Sequence, residues 1–539
     1  MRRPAQLRKP AAISAPTPKT AKPATFPAPV GGWIKNAALA TPGARLPDGS
    51  KVNGAYILDN WFPTTTAVRM RGGSQVFATL GDGSRDVVAM FAYVNGNNKK
   101  LFGATSNAIY DATSGGAIAS AAVGSQTGGA WSAVQFATSG GVFIRAVNGA
   151  DPPQVYDGAS WSTSPAITGS GLTPSTLSNV WVHQKRLFFI QKDTLNAWYL
   201  PADAIGGVAV VFPLGGVFKL GGALLFGATW SIESGSGLTE LCVFVTTEGE
   251  AAIYQGTDPA SASTFSKVGV YRIGKPLGPN ALISAGGDLA IATNIGLVPL
   301  SQAVQRDFAA LSPIAISYKI EEGWNDAVAD RISSGWSCAV WPTKQLVLVA
   351  PAESSAGERP VMFATNARTG SWGRAIGWNG RCLQLFGDRM FFGSTGGKII
   401  EAEVTGADQG MPYTSTCVWL FDPLKAAASL KTCLLMRAVI RSVAHILPQL
   451  SLQADYVLSL PTAPDDAGLP TGSVWGTGTW GVSLWGGTIE LSVFKDWQSV
   501  GGAGYSIAPA VQITSGSIVS PKVELVQVDM TYDQGDIVS

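Results

Sequence analysis

The feature that most constrains the fold is the recurrence of short apolar or alternating segments, separated by turns rich in Gly, Asn, Asp and Ser. Examples are LFGATSNAIYD, VFVTTEGEAAIYQ and LAIATNIGLVPL, which share the loose form of a strand, a polar turn and a second strand with a bulky residue. Each such segment predicts a β-hairpin. A hairpin repeat that extends over roughly 350 residues predicts a β-propeller or a related array of antiparallel sheets.

The character of the strands changes near residue 410. The segment TGADQGMPY is typical of a linker, and the alternating strands after it are longer, as in a β-sandwich with one solvent face. The sequence therefore predicts an all-β chain with a disordered arm at 1–30, an irregular β-propeller-like domain at 31–410 and a β-sandwich or platform domain at 411–539. The main helical signal is residues 423–442, although the β-branched end of that segment also suits a strand.

Few charges are available to build the surface. Charged residues make up 14% of the chain and hydrophobic residues 46%, whereas an ordinary soluble domain is about one quarter charged. A surface with few charges is easier to bury against a neighbouring subunit. The net charge of +2 predicts no global attraction to nucleic acid, but it is compatible with a conduit through which DNA slides without being gripped at its phosphates.

The residues that carry metal or nucleophilic chemistry are sparse. The two histidines, His183 and His445, are too few for a three-histidine zinc site. The cysteines are odd in number and form no CxxC pair, which argues against a disulfide framework or a zinc ribbon; they are Cys242, Cys338, Cys382, Cys417 and Cys433. Walker A, GxSxG, HExxH and EF-hand patterns are absent. We therefore expect no enzyme activity, no catalytic residue, no metal and no cofactor.

Two pairs of acids are formal candidates for glycoside cleavage. Glu248 and Glu250 lie in a predicted hairpin turn, and Glu321 and Glu322 begin a predicted short helix with an acidic face. Acids in such positions are more often solvated than catalytic, so we expect a structural role for both pairs.

Two segments have unusual composition. The first 32 residues are basic, rich in Pro and Ala, and lack the apolar core of a secretory signal; this arm either contacts phosphate or an acidic partner, or is solvated without a fixed role. Residues 206–230 are nearly uncharged, but Pro213 and three Gly-Gly pairs interrupt them, so they predict strands joined by turns rather than a membrane-spanning helix. The alternative is an apolar loop that plugs a channel or meets a membrane at a late stage.

Aromatic residues mark two further segments. Trp61 and Phe62 end the apolar stretch YILDNWFP and are candidate core or assembly anchors. Trp475, Trp480 and Trp485 recur every five residues in GSVWGTGTWGVSLWGG. That spacing fits a Gly-rich loop that pins its indoles onto a neighbouring surface; packing within the same domain and a sugar-binding platform are the alternatives.

The order of the motifs resembles one known family. The leader GGWIKN, the stretch AYILDNWFPTTTAVRMRGG, the hairpins, and the C-terminal series VWGTGTWGVSLWGG and VELVQVDMTYDQG are similar to tail proteins of short-tailed bacteriophages. That family is named tail nozzle, tail tubular protein B or packaged-DNA stabilisation protein. The likeness covers roughly residues 31–535 and leaves the basic arm without a counterpart.

This resemblance implies a structural role in the virion tail. It implies a homo-oligomeric ring, typically of six copies, docked under the head–tail adaptor of the portal and in contact with tail fibres or a tail needle. Packaged double-stranded DNA then passes through the ring without sequence recognition, and the ring closes the channel until ejection. Under that reading Val217 and Phe218 are candidate gate residues, and Trp61 and Phe62 anchor the propeller core, with Arg69 and Arg71 on a polar strand face. The alternative is a tail-fibre base or adhesin that binds glycans through the three tryptophans.

Overall fold

A computed structural model describes residues 21–46, 49–233, 238–331, 335–353, 360–443, 446, 448–466, 492–516, 520 and 522–537. The first strands of these ranges are β1 (Lys22–Pro27), β2 (Ala55–Asp59), β3 (Trp61–Pro63) and β4 (Val68–Met70). The helices are α1 (Ala37–Ala40), α2 (Leu300–Gln305) and α3 (Glu321–Asp330), with short 3₁₀ turns at Pro174–Thr176, Phe308–Ala310, Ser312–Ile314, Tyr318–Ile320 and Pro342–Lys344.

The middle of the chain is a succession of short antiparallel strands. In order they are β5 (Gly73–Leu80), β6 (Ala89–Asn95), β7 (Asn98–Thr105), β8 (Ala108–Asp111), β9 (Gly116–Ile118), β10 (Ser132–Thr138), β11 (Gly141–Val147), β12 (Gln154–Tyr156), β13 (Trp161–Ser162), β14 (Ile167–Thr168), β15 (Leu177–His183), β16 (Arg186–Gln191), β17 (Asn196–Tyr199), β18 (Gly207–Val208), β19 (Val210–Pro213), β20 (Leu224–Glu233), β21 (Leu238–Thr246), β22 (Glu250–Gly256), β23 (Phe265–Arg272), β24 (Leu282–Ala285), β25 (Asp288–Thr293), β26 (Gly296–Pro299), β27 (Ser337–Trp341), β28 (Leu346–Ala350), β29 (Val361–Asn366), β30 (Trp372–Ile376), β31 (Cys382–Phe386), β32 (Arg389–Gly393) and β33 (Lys398–Thr405).

The C-terminal strands are longer. They are β34 (Tyr413–Trp419), β35 (Ser429–Ser442), β36 (Gln449–Ala454), β37 (Ser492–Phe494), β38 (Gln498–Ser499), β39 (Ala503–Gly504), β40 (Ile507–Ser515) and β41 (Glu524–Ile537).

Most of these strands form a β-propeller. Six blades each arise from one continuous segment: β6–β8, β10–β13, β15–β17 with β19, β20–β23, β24–β26, and β27–β30. A composite sheet closes the ring between the last blade and the first, since β31 contacts both β27 and β6. In that sheet β33 pairs with β5, which comes from the other end of the propeller sequence. The predicted all-β, propeller-like fold is therefore confirmed.

The C-terminal strands form a two-layered β-sandwich that also takes in the N-terminal strands. One layer has the order β3-β4-β41-β35-β37, with β1 on β41 and with β38 and β39 on β35. The other layer, β2-β34-β40-β36, continues the blade β27–β30 through a parallel contact between β30 and β2. The two layers enclose a core that includes Trp419, Met436, Val511, Ile513 and Val528. Propeller and sandwich therefore share one eight-stranded sheet.

One local expectation is wrong, and at a second segment the strand alternative is confirmed over the helix. The arm was predicted to be disordered to residue 30, but residues 22–27 form β1, which is held by a continuous antiparallel register against β41. The helical signal at 423–442 gives way to strand β35, because β35 pairs with β41 along almost its whole length and long-range pairing overrides local helix propensity. The predicted boundary between a propeller domain and a sandwich domain at residue 410 stays a prediction. The strands β1–β4 come before that boundary in the sequence, but they belong to the sandwich layers.

Candidate functional site

The propeller and the sandwich meet at a fully buried arginine, Arg71. Its Nε donates to Asn60 Oδ1 at 2.8 Å, its Nη2 donates to the Ile376 carbonyl at 3.0 Å, and its guanidinium forms a two-pronged ion pair with Asp408. The guanidinium also stacks 4.0 Å from the ring centre of Tyr413. The alternating run VRMR predicted Arg71 on a polar face. That expectation is wrong, because β4 ends at Met70 and the chain turns Arg71 inward.

The Asp408 carboxylate gathers further donors at this junction. Ser74 Oγ donates to it at 2.9 Å and Trp378 Nε1 at 3.1 Å. The backbone comes close enough for this only because residue 73 is glycine: a Cβ there would lie 2.2 Å from the Ala407 carbonyl oxygen. The charges of this network are all paired, so its role is to hold the closing sheet, the linker and the sandwich together.

Trp61 and Phe62 lie on opposite faces of β3 and are both buried. Trp61 belongs to the large core shared with the sandwich, and Phe62 belongs to the core between the blade β27–β30 and the closing sheet. Arg69 lies over the Phe62 ring at 5.2 Å and pairs with Glu403 at 2.7 Å. These two aromatic residues therefore join the two cores at the junction.

The candidate gate residues lie in the loop between β19 and β20. Phe218 is buried in the apolar core between two blades, and Val217 packs against the same core. The loop is fixed by Glu250, whose carboxylate accepts from the backbone N–H groups of Lys219 and Leu220 at 2.9 and 2.8 Å. A gating role for Val217 and Phe218 stays a prediction, and a substitution there also changes blade packing.

The other predicted chemical groups are engaged in local structure. Glu248 pairs with Lys275 at 2.8 Å, and Glu322 accepts from the Ala37 N–H at 2.8 Å. Burial raises the pKa of the Cys382 thiol to about 12. Within the described ranges, no group of three or more His, Cys, Asp or Glu side chains could hold a metal ion. None of the helices described there has the length and hydropathy of a membrane span.

His183 is buried among aromatic rings, and burial lowers its pKa to about 4. Its Nδ1 lies 3.2 Å from Thr229 Oγ1. Because that hydroxyl donates to the Val182 carbonyl at 2.7 Å, Nδ1 carries the proton and donates to it. His183 is therefore a neutral core residue at pH 7.

The tryptophan series cannot be placed. Trp475, Trp480 and Trp485, like His445, lie outside the described residues. The glycan-binding alternative that rests on the tryptophans stays a prediction.

Exposed apolar side chains mark a surface that the sequence reasoning missed. In the described part of the chain, nine of the eighteen exposed large apolar side chains lie between residues 430 and 505, on or beside the sandwich. Five of them lie where β35 begins, where β36 ends and where β40 begins, a region here called the sandwich tip: Leu430, Tyr456, Val457, Leu458 and Tyr505. The sequence could predict that each strand buries one face. It could not predict that exposed apolar side chains cluster, because the clustering depends on which loops meet in that region.

A buried lysine and a carboxylate hold the loops of the sandwich tip. Lys431 is fully buried and donates from Nζ to the carbonyls of Ala426 and Tyr505. The Asp455 carboxylate accepts from the N–H groups of Tyr505 and Ser506 at 2.8 and 2.9 Å. These contacts tie three loops together beneath the apolar side chains.

A second set of exposed apolar residues lies on the propeller, here called the blade patch. Val208, Val210 and Val211 lie on and beside the edge strand β19, and Leu220 lies in the loop that follows. Exposed apolar patches on a soluble chain are typical of surfaces that a partner covers. The two patches are therefore the candidate functional surfaces of the molecule.

Comparison with known proteins gives no family. No protein-family model matches the chain, and no curated protein matches it. Solved structures that are similar include BBS1N in complex with ARL6DN, at 10% identity and a TM-score of 0.38, with 63% of this chain and 97% of that chain covered. The β-propeller domain of Cps50 (Swd1) from Myceliophteria thermophila matches at 12% identity and a TM-score of 0.35, with 62% and 100% covered. The computationally designed Ika8 protein matches at 9% identity and a TM-score of 0.34, with 61% and 100% covered.

Proposed function

We propose that this chain is a non-enzymatic structural subunit of the tail of a short-tailed bacteriophage. In this role copies form a ring on the tail axis that extends the DNA channel of the portal and adaptor, retains packaged DNA and opens for ejection. The ordered resemblance of residues 31–535 to the tail nozzle family is the starting point of the proposal.

One structural observation carries the proposal further. The propeller and the sandwich share a continuous sheet and a buried charge network, and two separate apolar patches remain exposed on this body. A stiff, charge-poor body with surface left to cover is typical of an assembly subunit, because burial of such surface against neighbours stabilises the assembly.

The test is the copy number in purified virions, measured by quantitative mass spectrometry against portal subunits. A ring on the tail axis predicts about six copies per particle. Substantially more copies in multiples of three would favour a tail fibre or adhesin, and absence from particles would refute a tail role.

A further inference from the structure

We infer that the central channel of the propeller holds a binding site for one neutral sugar unit, in a cavity between the inner strands β6, β10, β24, β27 and β31. The site is independent of the proposed tail role. It depends on how the inner strands of the blades meet.

The innermost strand of each sheet has a free edge. In their sheets β6, β10, β24, β27 and β31 are end strands with one neighbour each, and they contact one another in the order β24, β27, β31, β6 and β10 around the channel. An end strand presents backbone N–H and C=O groups that its own sheet does not pair. Donors and acceptors from several strands therefore surround one space.

Hydrogen bonds join the inner strands on one side of the channel. Gln135 of β10 bonds to both the N–H and the carbonyl of Val94 in β6, at 2.7 and 2.9 Å. Ser132 of β10 accepts from the Val180 N–H in β15 at 3.2 Å. Among the described residues, no hydrogen bond joins β27 to β31 or β31 to β6. The cavity lies between these unlinked strands.

The cavity is uncharged and has the size of a small molecule. Its volume is about 240 Å³, and its described lining contains no Asp, Glu, Lys, Arg or His. Cys338 and Cys382 line it, and because burial raises the pKa of each thiol to about 12, both are neutral at pH 7. One water takes up about 30 Å³, so the cavity has room for roughly eight waters or one molecule of about a dozen non-hydrogen atoms. A charged ligand would lose hydration there without gaining a counter-ion.

Polar groups without partners line this cavity. Ser337 is 5% exposed, and its hydroxyl has no hydrogen-bond partner in the described part of the chain. The indole N–H of Trp131, which is 3% exposed, is also without one. Gln384 uses only its side-chain N–H, in a bond to the Leu385 carbonyl at 2.8 Å, and the side-chain amide of Asn280 makes no bond to described residues. Buried polar groups are costly to leave unpaired, so their convergence points to a ligand that supplies donors and acceptors.

The chemistry of the lining matches a sugar. Hydroxyl and amide side chains both donate and accept hydrogen bonds, as sugar hydroxyls do. Phe91 and Trp131 border the same cavity and offer apolar ring surface for the C–H face of a sugar ring. A few convergent polar groups beside apolar walls are typical of small-molecule sites. A neutral hexose therefore suits the volume, the absence of charge and the free polar groups.

The test is isothermal titration calorimetry on the purified full-length chain with D-glucose, D-galactose, D-mannose and N-acetyl-D-glucosamine. At least one of them should bind with a Kd on the order of 1 mM, as expected for a ligand of this size. Glucuronic acid and glucosamine should bind at least roughly tenfold more weakly, because each carries a charge. If none of the four neutral sugars binds at about 50 mM, the cavity holds only water and the inference is overturned. Equal binding of the charged analogues also overturns it.

Substitutions locate the site. Ser337→Ala and Asn280→Ala should each weaken sugar binding roughly tenfold, because each removes one hydrogen-bonding group. Neither should change the melting temperature, since neither side chain bonds to described residues. Ser139→Ala and Asn97→Ala, in exposed turns of the first two blades, are the matched controls and should bind normally. Binding that is insensitive to both cavity substitutions would place the sugar elsewhere and refute the site.

A charge placed in the cavity gives a second readout. Gln384→Glu should reverse the preference, so that glucosamine binds more tightly than glucose, because its ammonium group pairs with the new carboxylate. A general loss of packing would weaken both sugars alike. An unchanged preference, in a variant with a normal melting temperature, contradicts the inference.

Discussion

Replacing Asp408 with Ala should destabilise the whole body, because it leaves the buried Arg71 guanidinium without its counter-ion. The carboxylate accepts two bonds from that guanidinium, one from Ser74 and one from Trp378. Removing one partner of a buried ion pair costs about 3–5 kcal/mol. We expect the free energy of unfolding, measured by urea denaturation, to fall by that amount.

The double variant tests the reasoning behind this number. Arg71→Met combined with Asp408→Ala removes both charges, so its loss should be smaller than the sum of the single losses by about 1–3 kcal/mol. Asp82→Ala is the control, since that carboxylate accepts from the N–H and the hydroxyl of Ser84 in an exposed turn, and it should leave the urea midpoint unchanged. Additive losses, or a loss below about 1 kcal/mol for Asp408→Ala, would refute the ion-pair account.

Three further predictions concern residues in or against the apolar cores. Burial lowers the pKa of His183 to about 4, against about 6.5 in the unfolded chain. The contribution of neutral His183 to the free energy of unfolding is therefore complete above pH 6.5. It is lost as the pH falls towards 4, and the total loss is roughly 3 kcal/mol. His183→Gln should flatten the curve of unfolding free energy against pH between pH 6.5 and 4. An unchanged slope would mean that another group causes the pH dependence. Trp61→Ala should cost about 3–5 kcal/mol and reduce virion incorporation, whereas unchanged melting and incorporation would contradict an anchoring role. Replacing Val217 and Phe218 with Ser should make filled particles leak DNA, which a nuclease-sensitivity assay measures after the melting temperature has been checked; normal retention counts against a gate.

The sequence predicted those elements that local pattern determines. Hairpins such as β21–β22 follow from apolar alternation around a Gly-containing turn, and the acidic run at 321–330 does form a short helix. Local pattern also placed Trp61 and Phe62 in cores, although it could not say that they face two different ones.

The failures share a physical cause, which is distance along the chain. Residues 429–442 contain good helix formers, and their pairing with β41 is invisible in any local window. Arg71 was misplaced because its partner Asp408 lies 337 residues away. The exposed patches were missed because exposure depends on which loops meet at one end of the sandwich.

The pairing of β1 with β41 has a consequence for synthesis. Thr25 in β1 bonds to Asp529 in β41, 504 residues later. At about 5–20 residues per second, β1 waits roughly 25–100 s on the ribosome for its partner strand. During that time the apolar side chains of the nascent N-terminal segment lack their final neighbours, and they need either a temporary partner or a chaperone. A product that is truncated before β41 leaves β1 without the strand that it pairs with.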